Sequence, residues 1–423
     1  KYYEREGMLY RPPAGMLPPK MISIRRSLGD YTESNSLFLV SPITAKRICF
    51  MSSRTHQPTG HSCHSCLLRE KKTDSVKKST SLRRRDFLGG LGALALAPNA
   101  VAAMAARSPI SVTAINHAKI RVTDPARSLD WYQSLFGLPI VARQGTTVIL
   151  RIGEGPQFLA IDGESSGKPG IVHMGLSVDS FDANQVLQTL KTNDQLGPIK
   201  ARIHTRGPEL GGAPSGTPEL FLEDPDGITV QLQDTSYCGG GGKLGDKCSA
   251  KPKPSRKKGL LNLRDYNHFT VFVGDQIQTV AFYRQLFQMP VDTYQGAMPL
   301  LRVGSGNQFL AFVGAGGQRD FRPFIHHVCF TVNEFNPEKV LGALADFGVK
   351  RRDTTRGPVK PLQSYVTMRM PNRGGAPKGT PELYFTDPDG IRLQIQDVRY
   401  SGGSGYLGDQ RGTASSHPGG NAK

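Results

Sequence analysis

The feature that most limits the folds open to this 423-residue chain is a long internal duplication. INHAKIRVTDPARSLDWYQSLFGLPI (115–140) aligns with YNHFTVFVGDQIQTVAFYRQLFQMPV (266–291). QFLAI (157–161) repeats as QFLAF (308–312), and IVHMGLSV (171–178) as IHHVCFTV (325–332). The closest match sets GGAPSGTPELFLEDPDGITVQLQD (211–234) against GGAPKGTPELYFTDPDGIRLQIQD (374–397), and the tails YCGGGGKLGD (237–246) and YSGGSGYLGD (400–409) agree as well. One structural unit is therefore built twice.

Within each copy the periodicity changes in a fixed order. Residues Ile115 to Val122 alternate as a strand does. Asp124 suits a helix N-cap and Pro125 the first helical position. Leu129, Tyr132, Leu135 and Phe136 then line one helical face, and Gly137 ends the helix. Strands are expected near 139–143, 146–152 and 157–162. A second cycle opens with strand 171–178 and helix 182–193. The second copy carries about a dozen extra residues, roughly Val359 to Asn372, expected as a loop or flap.

The formal net charge of +18 suggests a nucleic-acid partner until it is mapped. Residues 1–107 hold 18 Lys/Arg against 7 Asp/Glu, and five further bases fall in Lys251 to Lys258. Neither repeat has a basic stripe interleaved with aromatics, so no nucleic-acid partner is expected. Residues 1–80 read as a disordered leader. Its HSCHSC run (His61, Cys63, His64, Cys66) is a lone CxxC without a second pair at zinc spacing. The chain begins with Lys, and Met51 is a plausible start. Residues 81–106 read as a twin-arginine signal peptide: Arg84, Arg85, Phe87 and Leu88, a weakly apolar stretch, then small residues through Ala106. Pro98 and Asn99 interrupt that stretch well short of the ~20 apolar residues of a membrane span. Export by the twin-arginine machinery to the periplasm or beyond is the expectation. Cys238 and Cys248 are both absent from the second copy, where Ser401 and Arg411 stand. In an oxidising compartment this predicts a local disulfide.

The N-H-x-x-x-x-V openings, the strand–helix–three-strand cycle and the DPDG turn before each last strand resemble the vicinal oxygen chelate superfamily. That superfamily groups glyoxalases, bleomycin-resistance proteins and extradiol dioxygenases. The resemblance covers domain A (112–236) and domain B (263–398), with a Gly/Lys-rich linker (237–262) between them and a disordered tail (399–423). It implies an α+β fold of tandem domains, in which four βαβββ modules pair into two cupped mixed sheets. It also implies a divalent metal in the cup, Fe(II) or Mn(II) first, Zn or Ni as alternatives. The ligand positions on the first, fifth and eighth strands map to His117, His173 and Gln231, and to His268, His327 and Gln394. Strand alternation agrees, since Ala118, Ile120 and Val122 then pack on the helix while His117 faces the cup. The same alternation puts His326 on the packing face.

The departures shape the functional expectation. Both copies have Gln where two His and one carboxylate would hold Fe(II) with open positions. On the fourth strand only Gln157 or Gln308 is available as a further ligand. Leu383, Tyr384 and the Asp387-Pro388-Asp389-Gly390 turn fit the extradiol signature, but Gly374 to Gly379 lacks the His that serves proton transfer. His204 in A aligns with Thr354 in B. Facing the cup, A has Lys119 and Arg121 where B has Thr270 and Phe272. Arg392 and Cys329 of B replace Thr229 and Gly175. Two cations would repel a metal, so B is the preferred metal cup and A an anion-binding or degenerate one. Arg121, Arg302, Arg356 and Tyr384 are the substrate-binding candidates, with Arg151 aligned to Arg302 and Arg206 to Arg356. The resemblance implies a metal-dependent dioxygenase, lyase or isomerase acting on a small oxygen-rich or anionic substrate. The alternative is a metal-free binding protein of the bleomycin-resistance type.

Overall fold

The computed structural model describes residues 110–411, apart from 164–166, 194, 198, 319 and 356. The leader, the HSCHSC run, the twin-arginine segment and Arg356 lie outside the described residues. Repeat A runs β1 (Val112–Arg121), α1 (Pro125–Phe136), β2 (Ile140–Gln144), β3 (Thr147–Arg151) and β4 (Phe158–Asp162). Its second module is β5 (Gly170–Val178), α2 (Ala183–Lys191), β6 (Ala201–Arg206), β7 (Thr217–Glu223) and β8 (Thr229–Asp234). Repeat B begins with β9 (Asp265–Val273), α3 (Gln276–Phe287), β10 (Val291–Gln295), β11 (Met298–Arg302) and β12 (Phe309–Gly314). It continues through β13 (Phe324–Val332), α4 (Pro337–Asp346), the two-residue β14 (Lys350–Arg351), β15 (Gln363–Arg369), β16 (Thr380–Thr386) and β17 (Arg392–Asp397).

Each repeat is one mixed sheet, ordered β2-β3-β4-β1-β5-β8-β7-β6 in A and β10-β11-β12-β9-β13-β17-β16-β15-β14 in B. The expected fold of four βαβββ modules in two sheets is what the chain adopts. The first strands of paired modules meet antiparallel at the centre, β1 on β5 and β9 on β13, while β4 and β8 join them parallel. Local chemistry sets the helices. The Asp124 side chain accepts from the Arg127 N–H, Pro125 opens α1, and Gly137 closes it at φ 67. A Cβ on Gly137 would also lie 2.6 Å from the Lys258 carbonyl oxygen, so the linker packs against this helix end.

The faces of the sheets away from the cups share one continuous core with the helices. Trp131 and Phe136 of α1 pack on Phe385 and Phe330 of repeat B. A reciprocal polar clasp accompanies this packing. In each DPDG turn the first Asp accepts from two N–H groups of its own turn and from a tyrosine hydroxyl of the other repeat. Tyr132 donates to Asp387 and Tyr283 to Asp224, each at 3.1 Å. The turn's second Asp binds the other repeat too: Asp389 pairs with Arg127 at 2.8 Å, and Asp226 accepts from the Gly274 N–H.

Three sequence expectations are corrected. The extra residues of repeat B lie before β15, between Arg351 and Gln363, because β15 itself occupies much of the stretch from Val359 to Asn372. Arg369 therefore stands where Arg206 does, opposite Thr380 as Arg206 is opposite Thr217, and Thr367 rather than Thr354 matches His204. His326 faces the cup, not the core. A bulge between Ile325 and His327 breaks strict alternation, and the His326 ring stacks on Phe272 at 4.4 Å. Finally, residues 399–411 are ordered. The Tyr400 carbonyl takes the Asn267 amide, and Ser404 bridges to Gln410, just as Tyr237 to Cys248 folds back in repeat A.

Burial raises the Asp224 and Asp387 carboxyls from an ordinary 3.8 to about 6, against the opposing pull of the turn N–H groups and the tyrosine. A raised native pKa favours the protonated folded form, so this contribution to stability is full below about pH 4 and is lost as pH rises through about 6. Asp387→Asn should flatten that part of the profile when urea midpoints are compared across pH 4 to 7. Parallel wild-type and variant profiles would contradict the assignment.

Candidate metal centre

Gln231, His117 and His173 converge at the floor of the repeat A cup because β1 lies between β4 and β5 and β8 flanks β5. His117 Nε2 is 3.1 Å from His173 Nε2 and 3.1 Å from Gln231 Oε1. The approach needs Gly175, where a Cβ would stand 2.1 Å from the His117 ring. On its other side His117 stacks on Phe158, with ring centroids 4.5 Å apart.

Hydrogen bonds fix the polarity of these groups. Asn116 donates its amide N–H to the Tyr237 carbonyl at 2.9 Å, so its Oδ1 faces His117 Nδ1 at 2.7 Å. The His117 proton therefore sits on Nδ1, and Nε2 presents a bare lone pair. The Gln231 amide nitrogen lies 3.5 Å from the Tyr237 hydroxyl, which leaves its carbonyl oxygen turned toward the histidines. Tyr237 in turn donates to Glu219 at 2.7 Å, and Glu219 also accepts from Arg206 Nε at 2.8 Å. Burial drives the His117 pKa down to about 3, a hydrogen bond to Gln231 opposing it and Lys119 reinforcing it. His173 is likewise held well below the usual range by burial, with His117 and Lys119 adding to the effect. Both rings are thus neutral nitrogen donors at physiological pH.

Among the described residues no three His, Cys, Asp or Glu side chains stand together as a metal-binding group. The third donor here is an amide. The residues nevertheless fit a cation. Neighbouring donors around a small divalent ion bound at about 2.1 Å lie about 3 Å apart. Moreover, the His117 lone pair and the Gln231 carbonyl oxygen are two acceptors facing each other at 3.1 Å. The space beside them is a cavity of about 50 Å³, lined also by Lys119, Glu219 and Phe221.

Repeat B reproduces the plan with changes. Asn267 donates to the Tyr400 carbonyl and faces His268 Nδ1 at 2.7 Å, and His268 Nε2 is 3.3 Å from His327 Nε2. Phe309 stacks on His268 as Phe158 does on His117. Gln394 is buried beside them, close enough to oppose the effect of burial on both histidines, though its amide falls outside full hydrogen-bond geometry. Tyr384 packs edge-on to His327 and donates to Glu382, which also accepts from Tyr400 and Arg369.

The remaining candidates are placed as follows. Arg121 and Lys119 share the Asp162 carboxylate, at 3.6 and 3.4 Å, so cup A is less cationic than its sequence suggested. Arg302 is paired with Asp292, and Arg206 is buried against Glu219. Gln157 and Gln308 bond backbone groups of Ile115 and Tyr266 at the junction of the repeats, away from the donor triangle. His204 is exposed. Cys238 and Cys248 form a disulfide. Sequence reasoning missed Glu219 and Glu382. The signal was present, since each lies two residues before a cup-facing aromatic, Phe221 or Tyr384, on the same strand.

The family model for the glyoxalase/bleomycin resistance protein/dioxygenase superfamily matches residues 114–232 and 265–395, more than half of the chain. No curated protein matches it. Among solved structures, a catechol 2,3-dioxygenase is 15% identical, with 72% of this chain and 96% of that one covered at a TM-score of 0.47. The Mn(II)-bound glyoxalase from Novosphingobium aromaticivorans is also 15% identical, covering 73% and 86% at 0.47. Homoprotocatechuate 2,3-dioxygenase from Arthrobacter globiformis is 18% identical, covering 68% and 80% at 0.45. At these scores the structural likenesses bear no functional weight. With both repeats matched by the family model and built from the same paired modules, the chain belongs to the glyoxalase/bleomycin resistance/dioxygenase superfamily.

Proposed function

We propose that the chain is a divalent-metal-dependent enzyme of dioxygenase, lyase or isomerase type, acting on a small oxygen-rich or anionic substrate. The observation that carries this reading is the pair of opposed acceptors, His117 Nε2 and Gln231 Oε1, with His173 Nε2 beside them. His117, His173 and Gln231 would hold the ion, Fe(II) or Mn(II) first and Zn or Ni as alternatives. When bound, it would supply Lewis-acid polarisation of a substrate oxygen. A neutral amide in place of a carboxylate leaves the ion's full charge to attract an anion. Lys119, tethered by Asp162, lines the cavity and orients that anion. Glu219 lines the cavity as well and is the carboxylate placed to take a proton from a bound hydroxyl. The cavity of about 50 Å³ is far below the ~300 Å³ or more of a drug-sized ligand site, which favours this reading over sequestration of a bulky compound.

Metal analysis of the full chain purified without added metal should find stoichiometric Fe, Mn, Zn or Ni. His117→Ala should remove it from repeat A. A chain that takes up none, even after incubation with Fe(II) or Mn(II), would falsify the enzyme reading.

Export is part of the proposal. Arg84, Arg85 and the small-residue stretch to Ala106 support it, and the Cys238–Cys248 disulfide suits an oxidising compartment. Changing Arg84 and Arg85 to Lys should leave the protein in the cytoplasmic fraction of an expressing bacterium. Unchanged periplasmic recovery would count against the twin-arginine route.

A further inference from the structure

We infer that the cups differ in kind. Repeat A is the tight metal cup, and in repeat B Arg392 and His326 lock His327 in the tautomer that cannot ligate through Nε2. This rests on the metal-dependent reading above and reverses the preference for B drawn from charge.

The bulge in β13 turns His326 onto the cup face, where its Nδ1 is 2.7 Å from His327 Nδ1. Arg392, the first residue of β17, directs its guanidinium at His326 Nε2. A guanidinium only donates, so His326 Nε2 must accept, and the His326 proton is placed on Nδ1. That proton is donated to His327 Nδ1. His327 then carries its own proton on Nε2, aimed at His268 Nε2 3.3 Å away. His268 is fixed in turn, since Asn267 Oδ1 holds its Nδ1 proton while the Asn267 amide N–H is committed to the Tyr400 carbonyl. The chain Arg392→His326→His327→His268→Asn267 therefore runs one way. Doubly protonated His326 offers no escape, because its Nε2–H would then face the Arg392 N–H donors.

Repeat A lacks both parts of this lock. Val172 precedes His173, and Thr229 occupies the position of Arg392. His173 is free to place its proton on Nδ1 and offer Nε2. The floor of the cup differs as well. Gly175 lets His117 approach β5, whereas Cys329 faces His268 in the same register. In B the imidazole nitrogens stand 3.3 Å apart rather than 3.1 Å. Loss of the outer hydrogen-bond partner that orients a ligating histidine costs about 10–100-fold in metal affinity.

Mn(II) titration of the full chain, with free Mn(II) counted by electron paramagnetic resonance, tests the assignment. One tight site and a second at least about tenfold weaker are expected. His173→Gln should remove the tight site and His327→Gln should spare it. Arg392→Thr, alone or with His326→Val, should tighten the weak site by about tenfold. Nitrogen-15 imidazole spectra of the metal-free chain give a readout independent of loading, with His327 protonated on Nε2. Two equal sites, a tight site lost in His327→Gln, or His327 protonated on Nδ1 would overturn the inference while leaving the metal-dependent reading intact. No Mn(II) bound in either repeat would overturn both.

Discussion

Everything in this molecule depends on the antiparallel pairing of the two module-opening strands at the centre of each sheet, β1 on β5 and β9 on β13. That pairing makes a cup from two modules that would otherwise each expose a half-covered sheet. It also sets one histidine from each module across a strand gap, His117 facing His173 and His268 facing His327. Register brings the paired rings to separations of 3.1 and 3.3 Å. The same strands send their alternate residues into the core shared by the repeats, so cup geometry and folding stability are coupled through β1, β5, β9 and β13.

The second constraint is hydrogen-bond polarity. In a buried cup a donor facing a donor is costly, so each group's orientation is dictated by its neighbour. Asn116 and Asn267 set the inner histidines identically, through the carbonyls of Tyr237 and Tyr400 in the folded-back tails. The tails are thus part of the site. The outer histidines are where the repeats diverge, because His326 and Arg392 impose a direction on His327 that Val172 and Thr229 do not impose on His173. Charge alone, counted from the sequence, pointed the other way. That count omits Asp162 on the neighbouring strand, which holds Lys119 and Arg121 and is placed only once β4 lies beside β1.

How much was legible in the chain follows the same division. Duplication, alternation and caps such as Asp124 and Gly137 are local signals, and they fixed the modules and the paired-sheet fold. His117, His173 and Gln231 were readable because they stand at the superfamily's ligand positions in both copies, although the β1–β5 pairing shifts register beside His117 and His173. His326 was misplaced because a bulge is a one-residue departure that alternation cannot announce. The counterpart of Arg206 was misassigned because aligning the repeats without strand pairing put the extra residues of B on the wrong side of β15. Arg369 is identified by what it touches, the Glu382 carboxylate and the Gly403 carbonyl, as Arg206 touches Glu219 and the Gly240 carbonyl.

Opposed lone pairs in cup A mark the place of a cation. Anomalous diffraction from crystals of the full chain grown with Mn(II) tests it most directly. A strong peak is expected among His117 Nε2, His173 Nε2 and Gln231 Oε1. No peak in cup A at saturating Mn(II), or a peak confined to His268 and His327, would contradict it.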